Sequence, residues 1–339
     1  MTNPVKMAKN PTARLHQALF ISLCLFSTLL GGCQSTSKAT DSQSTQASTT
    51  AETYEIGITQ IVEHPSLDEI RAGIEAGLKD QGFDTTSNLK IDYENAQGSM
   101  ENTQLIAQRF NTKNKNLVIA ITTPSAQAAF QSVKLAPVIF SAITDPKGAG
   151  LEAKGITGIS DMTPIQKQLD LLKQLLPNAK KIGMVYNTSE QNSVVQVELA
   201  KTLASKMNLE IISSGVANTN DMATALDQVL KQCDVFYAHV DNSLASAFPL
   251  LVDKANAANK PIIGSVEKYV TDGALATDGI NNYQIGYQTG LMAAKILKGA
   301  SVDSLPIETI SQTELLISKK VAERFNIAIP EALKSKLVD

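Results

Sequence analysis

The 339-residue chain contains no tryptophan, seven tyrosines and nine phenylalanines, so any aromatic site must be assembled from few rings. Neither sign of charge dominates: 30 Lys and Arg stand against 33 Asp and Glu, a formal net charge of -3. Nucleic acid would normally require a strongly basic face, so that partner class is excluded. Three histidines and three cysteines form no cluster with metal-ligand spacing, and no metal or cofactor is expected. Phosphate-loop, dinucleotide-fingerprint, zinc-protease and serine-hydrolase motifs are also missing. A mean hydropathy of -0.04 rules out a polytopic membrane protein, while 43% hydrophobic residues are too many for a disordered chain.

The N-terminus reads as a targeting device. Lys6, Lys9 and Arg14 precede an apolar run over 18–30, shorter than the ~20 residues a membrane-spanning helix needs. The run ends in Leu30-Gly31-Gly32-Cys33, which resembles a bacterial lipoprotein signal, with residues 1–32 removed and Cys33 acylated. An ordinary signal peptide with a chance cysteine is the alternative. Removal of 1–32 takes away three basic residues and no acidic ones, leaving 27 basic against 33 acidic. Only Cys233 then remains in the body, which excludes an intramolecular disulfide there, and its setting before Asp-Val-Phe-Tyr suits core packing. Residues 33–53 are rich in Ser, Thr, Gln and Ala without periodicity, and read as a disordered tether.

From Tyr54 onward strands alternate with helices. Strands are predicted over 54–60, 89–93, 117–122, 137–142 and 155–160, with helices over 67–81, 100–113, 125–133 and 164–176, the last with Pro164 in its first turn. At Lys181-Ile-Gly-Met-Val-Tyr186 the pattern restarts, Ile182-Gly183 echoing Ile56-Gly57. Strands follow over 180–186, 210–213, 234–238, 261–264 and 274–277, and helices over 193–207, 221–231, 243–258 and 284–298. Such alternation gives an α/β protein of two Rossmann-like lobes with mostly parallel sheets. In open parallel sheets ligands bind at the carboxyl ends of the strands, which places the ligand in the cleft between lobes.

The strand ends are rich in uncharged hydrogen-bonders with a few carboxylates. They run into Gln60-Ile-Val-Glu63-His64-Pro65, Thr122-Thr-Pro-Ser-Ala-Gln127, Ser141-Ala-Ile-Thr-Asp145, Tyr186-Asn-Thr-Ser-Glu-Gln-Asn-Ser193, His239-Val-Asp241-Asn242 and Thr277-Asp278. Free N–H groups at helix starts suit a carboxylate, and nearby Asp or Glu an ammonium. The same residue types are also preferred helix N-caps.

Four stretches resemble the tryptophan/tyrosine-type family of ABC-transporter substrate-binding proteins: Gln60-Ile-Val-Glu-His-Pro65, Thr144-Asp-Pro-Lys-Gly-Ala-Gly150, Tyr186 to Ser193, and Gly286-Tyr-Gln-Thr-Gly290. The resemblance runs from Tyr54 to about Pro330, in order and with similar spacing. It implies a type I periplasmic-binding-protein fold, one lobe holding 54–161 plus 281–306 and the other 162–280 plus 307–339. It also implies no enzymatic activity, a small solute such as an aromatic amino acid, and delivery to an ABC permease and its ATPase. One departure is Asn281-Asn282-Tyr283, where relatives commonly show Asp-Tyr-Tyr; it leaves the exact ligand open.

Resemblance and strand-end chemistry together nominate site residues. Gln60, Thr123, Ser125, Ala126, Gln127, Ser141, Thr144 and Asp145 would serve from the first lobe. Tyr186, Glu190, Asn192, Ser193, Asp241, Asn242 and Asp278 would serve from the second. Glu190 is the expected ammonium partner, with a capping box back to Asn187 as its structural alternative; Asn192 and Ser193 would face a carboxylate. His64 is expected to shape its loop or pack at the cleft mouth, and His239 to line the hinge side. Function would proceed by hinge closure over the solute. Two alternatives are a sensory lipoprotein presenting ligand to a membrane receptor, and an extracytoplasmic enzyme using cleft carboxylates such as Asp145 and Glu190.

Overall fold

A computed structural model describes residues 53–339; the leader, Cys33 and nearly all of the expected tether lie outside them. In the first half, β1 (Tyr54–Gln60), α1 (Pro65–Asp80), β2 (Leu89–Asn95), α2 (Met100–Thr112), β3 (Leu117–Ile121), α3 (Thr123–Ser132), β4 (Val138–Ile143) and β5 (Ile156–Ser160) alternate as predicted. The second half begins with α4 (Ile165–Leu175), β6 (Lys181–Asn187), α5 (Gln191–Lys206), β7 (Glu210–Val216) and α6 (Met222–Leu230). It continues through β8 (Val235–Ala238), α7 (Asn242–Ser246), α8 (Phe248–Ala257), β9 (Ile262–Val266), α9 (Glu267–Thr271) and β10 (Ala276–Ile280). The chain closes with α10 (Asn282–Leu297), β11 (Glu308–Thr309), β12 (Thr313–Ser318), α11 (Lys319–Arg324) and β13 (Leu337–Val338).

Among the described residues the strands make two sheets, ordered β11-β5-β4-β3-β1-β2 and β13-β12-β10-β9-β8-β6-β7. All pairings are parallel except β10 with β12. Central strands such as Leu117–Ile121 are buried along their whole length because helices cover both faces, and so they read as unbroken apolar runs. In the second sheet the two faces feed separate cores: Val235 and Tyr237 point into one, Phe236 and Ala238 into the other, the period-2 alternation of a strand. Helix α1 buries Leu67, Ile70, Ile74 and Leu78, and Pro65 opens it where no N–H is needed.

Several details depart from the sequence expectations. The helix expected over 243–258 is two helices, because Pro249 at the second position of α8 has no N–H and its ring would meet the carbonyl of Ala245. Pro164 is the N-cap of α4 and not part of its first turn. β10 begins two residues later than expected and runs on to Ile280. Glu308 and Thr309 pair with β5, so β11 belongs to the first sheet, whereas the sequence division left everything from 307 with the second.

Helices α1 and α10 make the most extensive helix contact of the fold. Gly73 and Gly77 of one face Gly286 and Gly290 of the other; a Cβ at any of the four would collide with the opposing backbone. α10 is further tied to its sheet where Ser141 and Thr289 share a buried hydroxyl hydrogen bond at 2.7 Å.

Candidate functional site

The topology turns at two switch points, between β1 and β3 in one sheet and between β6 and β8 in the other. Strand ends from both sheets converge there on an enclosed cavity of about 30 Å³. From the first sheet come His64 after β1, Thr122 after β3, Ala142 near the end of β4 and Asp161 after β5. From the second come Val240, Asp241 and Asn242 after β8, Val266 at the end of β9 and Tyr269 in α9. Leu67, Ile70 and Ala245 make apolar wall, and Asn282 stands at the start of α10. Tyr269 is braced by Phe248, its ring stacked at 4.1 Å between centroids. Of the larger grooves, those of about 500 Å³ beside Val138 and Gly155 and about 530 Å³ beside Ala179 and Pro261 lie at the opposite, amino ends of the strands, while one of about 580 Å³ lies beside Glu267, Asn281 and Thr309.

Two cavity residues hold backbone conformations that side chains other than glycine disfavour. Thr122 has φ 71° and ψ 163°. Ala142 has φ 60° at a register shift between Ser141 and Ile143. Such strain, on the order of 1–3 kcal/mol per residue, persists where surrounding structure enforces it and re-aims the chain at a strand end. Beyond Thr122, α3 opens with Thr123, Pro124 and Ser125, and Ala126 makes the first helical hydrogen bond, its N–H donating to the Thr122 carbonyl at 3.0 Å. The hydroxyls of Thr122, Thr123 and Ser125 are buried and find no partner among the described residues.

Three buried carboxylates are held in different ways. Glu190 accepts the N–H groups of Asn242 and Ser243, both at 3.1 Å, the Ser243 hydroxyl at 2.9 Å and the Asn242 amide. It therefore caps α7 from another strand end. Burial, and secondly the charge of Asp241, push its carboxyl above the usual range. Asp241 caps the same helix through the Leu244 N–H at 2.7 Å, and also accepts from the Asn187 N–H at 2.6 Å and the Ser193 hydroxyl at 2.5 Å; burial raises it too. Asp161 has only one side-chain donor, the Thr144 hydroxyl at 3.3 Å. Burial lifts its carboxyl to about 6, with Thr144 pulling the other way.

The two histidines among the described residues, His64 and His239, are buried and neutral. Burial lowers His64 to about 4, only partly offset by the nearby Asn242 side chain, and neither ring nitrogen makes a hydrogen bond of ordinary geometry among the described residues. His239 is lowered to about 3 by burial, so its 3.9 Å approach to Asp241 is not an ion pair at neutral pH.

Of the residues nominated from sequence, Asp241 and Asn242 border the cavity. Asn192 and Ser193 stand behind them, Asn192 donating to the Val240 carbonyl at 3.2 Å. Thr144 supports Asp161. Gln60 stiffens the β1–α1 turn through the Val62 carbonyl at 3.1 Å. Thr123 and Ser125 open α3 beside the cavity residue Thr122, their hydroxyls unpartnered among the described residues, and the remaining nominees are engaged elsewhere. Gln127 donates to the Ala149 carbonyl at 3.1 Å, Asp145 accepts the Gly148 N–H at 2.9 Å, and Ser141 holds α10. Ala126 offers no free amide, Tyr186 packs from β6 against the core, and Asp278 contributes its carbonyl to Gln168 at 3.0 Å. Glu190, the expected ammonium partner, has its oxygens occupied by α7, and the alternative capping box to Asn187 does not form, since the Asn187 N–H donates to Asp241. Asp161, Thr122, Ala142 and Tyr269 were missed. Asp161 closes a strand as Asp241 nearly does, and the strand-end rule applied to β5 would have found it.

The sequence pattern of the family described as ABC transporter substrate binding protein matches residues 55–337. The chain belongs to that family. Substrate-binding proteins of ABC transporters work outside the cytoplasm, and the two-lobed α/β architecture with a site at facing strand ends is the form expected of one. A tyrosine-binding protein of Clostridioides difficile (strain R20291) is 40% identical over 308 residues, 89% of each chain. An ABC domain from Streptococcus pneumonia solved in complex with L-Trp is 35% identical, covers 85% of this chain and 100% of its own, and superposes with a TM-score of 0.81. A ligand-free, open substrate-binding protein from Clostridium difficile is 39% identical and covers 84% of this chain and 99% of its own, yet gives a TM-score of only 0.62. Sequence distance does not order these scores. Among the described residues no helix is long and apolar enough to cross a membrane.

Proposed function

We propose that this binding protein captures an aromatic amino acid outside the cytoplasm and delivers it, by closure of its two lobes, to the permease of an ABC importer driven by a cytoplasmic ATPase. The observation that carries the reading is the fit of the whole chain, which superposes better on the L-Trp complex than on the open, ligand-free relative. A cavity between facing strand ends, with a buried carboxylate from each sheet, Asp161 and Asp241, and with Tyr269 backed by Phe248, supports it. The cavity is walled by both lobes, so they must part to admit an amino acid and close to hold it. Closure gains population because only the closed form makes both sets of contacts.

The absence of tryptophan makes the test direct. With no indole of its own, the protein emits as tyrosine, and added L-tryptophan supplies the only indole signal. Titration with L-tryptophan and L-tyrosine, followed by indole emission and by melting, should show saturable binding. Ligand at a hundred times Kd stabilises by about 2.7 kcal/mol. If neither amino acid shifts the melting curve, the aromatic reading is lost.

The tether belongs to the same proposal. Leu30-Gly31-Gly32-Cys33 supports cleavage before Cys33 and acylation of its thiol, and a single acyl chain holds a protein only marginally, so more than one is expected. Cys33→Ser should move the protein from the membrane fraction to the soluble one; unchanged fractionation would refute the anchor.

A further inference from the structure

The cavity walls contain two carboxylates, Asp161 and Asp241, and neither lysine nor arginine. Negative charge there has no cation of the protein to meet it, and an amino acid supplies one in its ammonium group. The hydrogen-bond inventory separates the two acids. An ionised carboxylate offers about four acceptor positions. Asp241 has three strong donors from its own lobe, and Glu190 behind it has four within 3.1 Å and a fifth, the Asn192 amide, at 3.5 Å. Asp161 has one side-chain donor at the long distance of 3.3 Å and a contact with its own backbone N–H, fewer donors than either neighbour, although the residue is only 5% exposed. A buried carboxylate left so short of donors is costly unless something else supplies them.

The other end of the ligand has a matching place. Strand β3 ends at the cavity in strained Thr122, and α3 starts immediately beyond it. The Thr123 and Ser125 N–H groups precede the first helical hydrogen bond, and the hydroxyls of Thr122, Thr123 and Ser125, almost wholly buried, have no partner among the described residues. Amide donors at a helix start, joined by unspent hydroxyls, are what a carboxylate requires. β4 and β3 are neighbours, as are β4 and β5, so Thr122, Ala142 and Asp161 follow one another across three adjacent strand ends.

We infer that Asp161 is the acceptor for the ammonium group of the bound amino acid, with the first turn of α3 receiving its carboxylate. The first lobe thus reads the zwitterion common to all α-amino acids, and the second lobe, with Val240, Ala245, Val266 and Tyr269, closes over the side chain. This assignment rests on the proposed amino-acid ligand and names the groups that recognise it.

The test is calorimetry on the intact chain and on Asp161→Asn. The ligand is L-tryptophan or L-tyrosine, whichever the unmodified chain binds more tightly, beside the corresponding 3-arylpropionate, which lacks only the ammonium group. The amide oxygen of Asn can still accept from Thr144, so the fold should be retained, and a cooperative melt verifies it. The amino acid should bind the variant ten- to a hundredfold more weakly, while the arylpropionate binds both proteins within a factor of about two. Ser125→Ala should weaken amino acid and arylpropionate alike, the mark of a carboxylate contact. Equal affinity of both proteins for the amino acid, or equal losses for amino acid and arylpropionate in Asp161→Asn, would overturn the ammonium assignment while leaving the functional reading intact. Failure of the unmodified chain to bind either amino acid would remove the functional reading and the assignment together.

Discussion

Gly286→Ala should lower stability by on the order of 3 kcal/mol and the melting temperature by roughly 5–10 °C. Helix propensity alone gives the opposite sign, since Ala is favoured over Gly in a helix interior by about 1 kcal/mol. Packing decides the matter. A methyl group at Gly286 would run into the carbonyl oxygen of Ile70, and behind that atom is the α1 backbone, which has no rotamer to yield. Gly73, Gly77 and Gly290 repeat the constraint along the same seam, so the helices can only move apart as bodies. Overpacking against side chains typically costs 1–3 kcal/mol, and a backbone obstacle places this case at or beyond the top of that range. Both helices begin at the cavity, α1 with Ser66, Leu67 and Ile70 and α10 with Asn282, so separation would also displace the binding walls. Denaturant melts together with ligand titration check both effects. A neutral or stabilising Gly286→Ala would mean that the helix pair is looser than described.

This seam shows how far the sequence could be read. Gly286-Tyr-Gln-Thr-Gly290 stood out as a family motif, but its reason, two backbones in contact, needed the partner helix more than two hundred residues earlier. The α/β alternation was legible because parallel strands covered on both faces write themselves as apolar runs, as in Leu117–Ile121. Topology pointed to the carboxyl ends of the strands, and those of β3, β4 and β8 do meet at one cavity. What a linear reading could not resolve was which polar groups remain unspent. Glu190 looked like the best ammonium partner until α7, 52 residues onward, occupied its oxygens. Asp161 sits where the chain leaves the first sheet, and it gains significance only through its burial and its single side-chain donor. The terminal strands were missed because Thr313–Ser318 is half-exposed and pairs antiparallel near a sheet edge, where composition gives little contrast.

Asp161→Asn should raise the stability of the unliganded protein at neutral pH by on the order of 3 kcal/mol, in the same variant that loses affinity. In the unfolded chain this carboxyl ionises near its ordinary value of 3.8, and in the fold near 6 because burial disfavours the charge. Between those values the folded state holds the proton more tightly than the unfolded state does, so stability falls as pH rises from about 4 to about 6 and stays reduced above. Asn carries no charge to desolvate. The difference between variant and unmodified protein should therefore be near zero below pH 4, grow through pH 4 to 6 and level off above. Saturating amino acid should shrink or reverse it, because an ammonium group returns to Asp161 the partner that burial took away. Binding sites commonly surrender stability in this manner, holding polar groups short of partners until a ligand arrives. Urea unfolding at pH 4, 5, 6 and 7.5, with and without ligand, measures the whole pattern. A difference that does not change with pH would show that Asp161 is solvated in the unliganded protein, and the strain attributed to it would have to be withdrawn.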